Sequence, residues 1–344
     1  MTTRDAPRAL FLNTVNLQVV WYRCAMPAMV LGCDWAAIEG NPDQLRARVG
    51  HGRRLGGFGD LFDYDVVVLG QVFQDGWSEG IARLREAGVR VLYEIDDYLP
   101  GIRDVRPDDA VAWEPRIAGA ERAMAACDGL ICSTEWLAAT YGEFNPRTWV
   151  CPNGIDLPRY RLTRRDRPYV TIGWAGASGH IDAAAPWMRE LIDVLRAVPR
   201  TRFVSVGEPF AEVVGRHVGQ ERCIAVPFTH LETYPAAMTL FDLALAPALD
   251  TTFFRGKSDL RWLEASALGI PVIADPLVYP EVEDGVTGFH ATTAERAGRL
   301  MRRLIGDKAL RDRVGAAARA YVTEKRSAQA MGERWARALR EVVA

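Results

Sequence analysis

Residues 264–289 read EASALGIPVIADPLVYPEVEDGVTGF. The small and apolar run from Glu264 to Leu268 has helical character, and Gly269 is placed to stop it in a left-handed turn. Pro271 to Ala274 follow without polar alternation, as expected of a strand covered on both faces. An aromatic-bearing loop and the Asp284-Gly285 turn come next. Helix, glycine stop and buried strand in that order are half of a crossover unit, which implies a parallel sheet with helices on its faces.

Outward from this stretch the same alternation fills the chain. In the first half, residues 9–12, 65–69, 90–94, 129–132 and 148–151 read as strands, with helices near 80–87 and 118–126. The run VVVLG at 66–70 has no polar alternation and predicts another doubly covered strand. The turn cluster PNGID at 152–156, then the charged RYRLTRRDRP at 159–168, interrupts the pattern and reads as a linker. A second α/β series begins at Tyr169. Its strands fall at 169–176, 201–206, 242–246 and 271–274, its helices at 186–197 and 258–268, and long helices fill the chain beyond 294. The expected architecture is α/β, two Rossmann-like domains facing a cleft. Residues 1–155 would form an acceptor-side domain, 156–168 the linker and 169–325 the donor-side domain. The last helix, 326–344, would pack back on the first domain.

A chain of 344 residues is long for one core and comfortable for two such domains. Apolar residues make up 49%, charged residues 25%, and the formal net charge is −2. A general nucleic-acid or anionic-membrane binder would carry a basic excess, so neither class is favoured. The six cysteines, Cys24, Cys33, Cys127, Cys132, Cys151 and Cys223, contain no C-x-x-C pair and read as free thiols in a reducing compartment. No apolar run is long enough to span a bilayer and the N-terminus lacks a signal-peptide core, so a cytoplasmic location is expected.

Upstream of the opening stretch lies Arg255-Gly256-Lys257-Ser258. Ser258 is a good N-cap residue, and two cations beside a helix start make an anion site from amides, dipole and charge. A P-loop would need glycine at 251, where Thr251 stands, so the reading is a phosphate contact without a P-loop. Glu264, two turns along that helix, suits a vicinal diol such as a ribose. The turn GWAGASGH at 173–180 follows a strand and leads toward a helix. Gly176 would let the backbone approach a pyrophosphate, and Ser178 and His180 could donate to it. The turn is not G-x-G-x-x-G, which argues against a nicotinamide or flavin cofactor. In the first half Asp96 and Asp97 end a strand, where one of them could orient or deprotonate an acceptor hydroxyl; neighbours on an extended chain point opposite ways, so one is expected to face the cleft. Arg23, near a helix start, is the acceptor-side candidate; its bland alternative is a structural ion pair. The tryptophans Trp113, Trp136, Trp187, Trp262 and Trp335 are expected to be packing residues.

These elements together resemble the GT-B glycosyltransferases of the "group 1" set, family 4-like, mostly retaining and nucleotide-sugar dependent. The resemblance is carried by DGLICST at 128–134, CPNGID at 151–156, GWAGASGH at 173–180, YPAAMTLFDLALAP at 234–247, FFRGKSDLRWLEASALGIPVIAD at 253–275 and the closing VYPEVEDGVTGF. It implies a C-terminal half holding the sugar nucleotide, an N-terminal half holding the acceptor, and catalysis without a metal or other cofactor. It also implies that Glu264 binds the ribose and that Lys257, Ser258 and the loop 176–180 contact the diphosphate or sugar. Two departures stand out: the first glutamate of the family's paired-glutamate signature falls on Gly256, and a histidine common after the fourth strand is replaced by Asp96-Asp97.

The expected activity is transfer of a sugar from a nucleoside-diphosphate donor to a hydroxyl acceptor, with Asp97, Asp96 and Lys257 as catalytic candidates. Gly176, Ser178, His180, Arg255, Gly256, Lys257, Ser258 and Glu264 form the donor set. The alternatives are a sugar-nucleotide epimerase or hydrolase of the same fold and a non-catalytic nucleotide-binding protein. The acceptor stays open between small molecule, glycan, protein and modified nucleobase. Variable loops at 41–62 and 103–114 are expected to shape its site, with Arg46, Arg48, Arg53 and Arg54 read as a solvated face.

Overall fold

Every residue of the strand Val66–Gly70 is buried, and the strand sits inside a six-stranded parallel sheet. The computed structural model describes residues 7–13, 17–38, 47–48, 54–74 and 76–344. It divides into two units: Met1–Gly154 with Gly256–Ser258 and Ala328–Ala344, and Ile155–Arg255 with Asp259–Ser327.

The first unit contains β1 (Ala9–Asn13), β2 (Asp34–Ala37), β3 (Ala47–Arg48), β4 (Arg54–Leu55), β5 (Val66–Gly70), β6 (Arg90–Ile95), β7 (Gly129–Cys132) and β8 (Thr148–Val150). The sheet order is β2-β1-β5-β6-β7-β8, and β3 and β4 pair separately and antiparallel. One face packs Leu10, Val67, Leu69, Val91 and Tyr93 against the helices Trp77–Glu86 and Ala110–Ala126. On the other, Phe11, Val66, Val68, Leu92 and Ile131 meet Trp335, Leu339 and Val342 of the helix Ala328–Val343. Double coverage is why these strands carry no polar alternation.

The second unit holds β9 (Val170–Gly176), β10 (Thr201–Gly207), β11 (Cys223–Val226), β12 (Leu243–Ala246), β13 (Val272–Ala274) and β14 (Phe289–His290), all parallel, in the order β11-β10-β9-β12-β13-β14. The helix Ile181–Ala197 buries Ala184, Trp187, Met188, Leu191 and Leu195, spaced three or four apart, as an amphipathic helix on a sheet must. Side-chain caps start three helices: Thr134, Thr293 and Asp307 accept from the amides of Leu137, Arg296 and Leu310. The stretch 264–289 folds as read. Its helix is Leu260–Ala267, Gly269 takes the left-handed conformation at φ 67°, and β13 follows. Residues 155–167 are tied to this unit, with Tyr160 buried and Arg164 and Arg167 donating to the carbonyls of Phe241, Gly269, Leu240 and Thr239.

The sequence reading omitted β2, β3, β4, β11 and β14, which are short; it placed a helix over Met26–Leu31, and the helical run in fact begins at Leu17. It took 103–114 as loop, whereas Ile102–Val105, Pro107–Asp109 and the start of Ala110–Ala126 are helical. All six cysteines are free. Among the described residues no helix is long and apolar enough to cross a membrane. Arg46 and Arg53 lie outside the described residues, as do the side chains of Arg48 and Arg54.

Candidate active site

In each sheet the strand order reverses beside the first strand, β1 or β9, and such switch points at the carboxyl ends of parallel strands are where open α/β sheets take ligands. In the first unit the register places Asn13 beside Gly70 and Gly70 beside Glu94, so the carboxyl edge continues into Gln71 and Asp96. Gly70 carries no side chain because the carboxamide of Asn13 occupies that space. Gln71 is the only non-glycine residue with positive φ among the described residues, at 48°, and it is buried. Its amide Nε2 donates to Asp96 Oδ1.

Asp96 and Asp97 diverge as adjacent extended residues must. Asp96 turns to Gln71, while Asp97 Oδ1 receives Lys257 Nζ at 2.7 Å. Their backbone carbonyls are held by Ser133 Oγ and Tyr141 Oη, both at 3.2 Å. Burial pushes the Asp96 carboxyl up to about 8, reinforced by the negative charges of Asp97 and Glu94 and opposed by Arg23 and Lys257. Asp96 keeps a partly exposed edge.

Arg23 does not reach an acceptor. It lies in a π-helical turn, Trp21–Ala25, inserted in the helix of residues 17–31, and its side chain is fully enclosed. Nε donates to Glu94 Oε1 at 2.7 Å, and Nη1 to the Cys151 carbonyl at 2.7 Å and Asn153 Oδ1 at 3.0 Å. The guanidinium also stacks 4.8 Å from the Trp335 ring centroid. The structural ion pair is therefore the correct alternative. Burial raises the Glu94 carboxyl, with Arg23 pulling the other way.

The segment Gly256–Ser258 belongs to the first unit and is held at three consecutive positions. A Cβ on Gly256 would stand 2.6 Å from Tyr98 Cβ, Lys257 pairs with Asp97, and Ser258 Oγ accepts from Asn153 Nδ2 at 2.8 Å. Ser258 is thus no helix cap: the helix begins at Leu260, and the capping position belongs to Asp259. The Asp259 carboxylate is instead taken by Arg326 through a buried two-pronged pair at 2.7 and 2.8 Å.

In the second unit Gly176 ends β9, the short 3₁₀ turn Ser178–His180 follows, and no side chain caps the helix Ile181–Ala197. The glycines here serve packing. The Trp174 ring lies where a side chain on Gly176 would be, and Phe241 fills the space over Gly173. The His180 ring sits among Phe253 and Phe254, with centroids at 5.9 and 5.3 Å. Arg255 is exposed and pairs with Asp250 at 2.7 Å. Glu264 is 5% exposed, and hydroxyls surround its carboxylate: Tyr160 Oη donates to Oε1 at 3.5 Å, and Tyr234 also hydrogen-bonds to it. Burial, then the charge of Glu264, drives the Tyr234 phenol well above its usual value. No group of three His, Cys, Asp or Glu side chains is arranged to hold a metal among the described residues.

Sequence reasoning missed Gln71, Asn153 and Tyr160. Gln71 offered no signal, since nothing in a residue after VVVLG announces positive φ. Asn153 was visible only as a turn residue, and Tyr160 lay in a stretch too charged to suggest burial.

No family model matches the chain, and no curated protein matches it in sequence. Solved structures do match in fold. HepE from Anabaena, in complex with UDP and glucose, is 15% identical with a TM-score of 0.64, covering 96% of this chain and 98% of that one. Sucrose-phosphate synthase from Thermosynechococcus elongatus is 14% identical with a TM-score of 0.70, covering 97% and 98%. A glycosyltransferase from Rickettsia africae is 13% identical with a TM-score of 0.64, again covering 97% and 98%. The two parallel six-stranded sheets with flanking helices are the GT-B fold that these structures share.

Proposed function

We propose that this protein transfers a glycosyl group from a nucleoside-diphosphate sugar to a hydroxyl acceptor. The observation that carries the reading is the cluster at the carboxyl edge of the first sheet, past β5 and β6: Gln71, Asp96, Asp97 and Lys257 converge there, with a strained backbone at Gln71. A carboxyl pushed up to about 8 by burial and neighbouring negative charge, as at Asp96, is when ionised a stronger base than an ordinary carboxylate, which suits an acceptor hydroxyl that must lose a proton. Lys257 supplies positive charge for the diphosphate that departs as the glycosidic bond breaks, an electrostatic role that calls for no metal. In the second unit Glu264 is the candidate for the ribose, and the turn 176–180 and the uncapped helix behind it, with Arg255, form a separate candidate for an anionic group. The complex of HepE with UDP and glucose supports a uridine nucleotide as the first donor to test. The sequence resemblance to the retaining set supports retention of anomeric configuration.

Glu264→Gln and Lys257→Ala test the donor half. With UDP as probe, both should weaken binding, and Lys257→Ala should lower glycosyl transfer or donor hydrolysis by about 10²-fold, the usual loss for one oxyanion-stabilising group. Unchanged UDP binding and turnover in both would defeat the assignment.

A further inference from the structure

We propose that Asp97 is an internal stand-in for the diphosphate: it holds Lys257 in the unliganded protein and gives it up when a nucleoside diphosphate binds. The inference rests on the donor reading above and concerns residues of the first unit alone. Lys257 Nζ lies 2.7 Å from Asp97 Oδ1, and the pair is part-exposed, 21% for the lysine and 39% for the aspartate side chain. An ion pair of that exposure is weak, so a doubly charged phosphate group can displace the carboxylate. The backbone on both sides is nonetheless fixed. Gly256 is packed on Tyr98 with no room for a Cβ, and Ser258 is bonded to Asn153, which is itself bonded to the buried Arg23. The chain is anchored while the lysine head stays exchangeable, which is the arrangement expected of a cation that changes partner.

The exchange reaches the neighbouring carboxyl. Asp96 is flanked by Asp97, Glu94, Arg23, Lys257 and the Gln71 amide. When Lys257 leaves for the phosphate, the Asp97 charge beside Asp96 loses its counter-ion. Asp96 then holds its proton more tightly. Asp97 thus acts as a positioning residue, through Lys257.

The test is a double-mutant cycle on the full chain, with UDP, GDP and ADP binding followed by isothermal titration. Asp97→Asn should tighten the nucleotide that binds wild type by roughly two- to fivefold, the worth of the released pair. Lys257→Ala should weaken it, and Asp97→Asn added to Lys257→Ala should then change nothing. Should Asp97→Asn not fold, Asp97→Ser carries the same comparison. Unchanged or weaker binding in the Asp97 variant, with Lys257→Ala still impaired, overturns the exchange and leaves the donor reading standing. An equal gain in the Lys257→Ala background also overturns it, since the effect would then be simple repulsion. If wild type binds none of the three nucleotides, both the exchange and the donor reading fail.

Discussion

Arg23 Nε lies 2.7 Å from Glu94 Oε1, and neither side chain is exposed at all. The pair sits under the carboxyl edge of the first sheet, and its charges also bear on Asp96. Two charges withdrawn from water are tolerated only together. Arg23→Met is therefore expected to cost about 3–5 kcal/mol, because Glu94 is left buried and unpaired. Arg23→Met combined with Glu94→Leu should cost less than Arg23→Met alone. Denaturant unfolding of the single and double variants checks both statements.

Asp96 gives the protein a pH signature. Its carboxyl is raised by burial and by Asp97 and Glu94, so the folded chain keeps a proton that the unfolded chain loses. Stability from this group is complete below the usual value of 3.8 and is lost as pH rises through about 8. Asp96→Asn removes that loss. The variant should gain on wild type steadily as pH climbs across this window, measured by melting temperature, and turnover should lose the ionisation limb that belongs to Asp96.

Gln71 separates strain from chemistry. Its φ of 48° is costly for a residue with a Cβ, by about 1–2 kcal/mol relative to glycine. Gln71→Gly and Gln71→Ala both remove the amide that bonds Asp96. The glycine variant should be the more stable of the two by about 1 kcal/mol, while both lose activity alike. Chemical denaturation with a turnover assay distinguishes these effects.

Gly256 is expected to tolerate no side chain. Alanine there would meet Tyr98 Cβ at 2.6 Å and the Tyr98 amide nitrogen at 3.0 Å, a backbone atom and a side-chain atom that no rotamer change can move. The segment must shift, carrying Lys257 off Asp97. Displacements near 1 Å can cost on the order of 10²-fold in rate, so turnover of Gly256→Ala should fall far more than its melting temperature. Parallel rate and melting measurements decide the matter.

The helix–glycine–strand order at 264–274 and the apolar run at 66–70 were legible because burial on both sheet faces forces unbroken hydrophobicity onto a strand. The divergence of Asp96 and Asp97 was legible as well, since neighbouring residues on an extended chain point opposite ways. Short edge strands such as β2 and β14 were not, being too brief to show a period. Arg23 illustrates a different limit. A cation near a helix start looks the same in sequence whether it meets solvent or a carboxylate 71 positions away.

The sequence by itself determined the alternation of strands and helices, the two α/β series and the residue types able to grip a phosphate and a hydroxyl. Local periodicity and turn chemistry suffice for that, because they act over a few residues. Only the tertiary structure decided partners. It took Ser258 from its helix and gave it to Asn153, enclosed Arg23 with Glu94, surrounded Glu264 with tyrosine hydroxyls and set Lys257 against Asp97. These contacts join residues far apart in the chain, and Coulomb attraction and desolvation depend on distance in space, which no local pattern records.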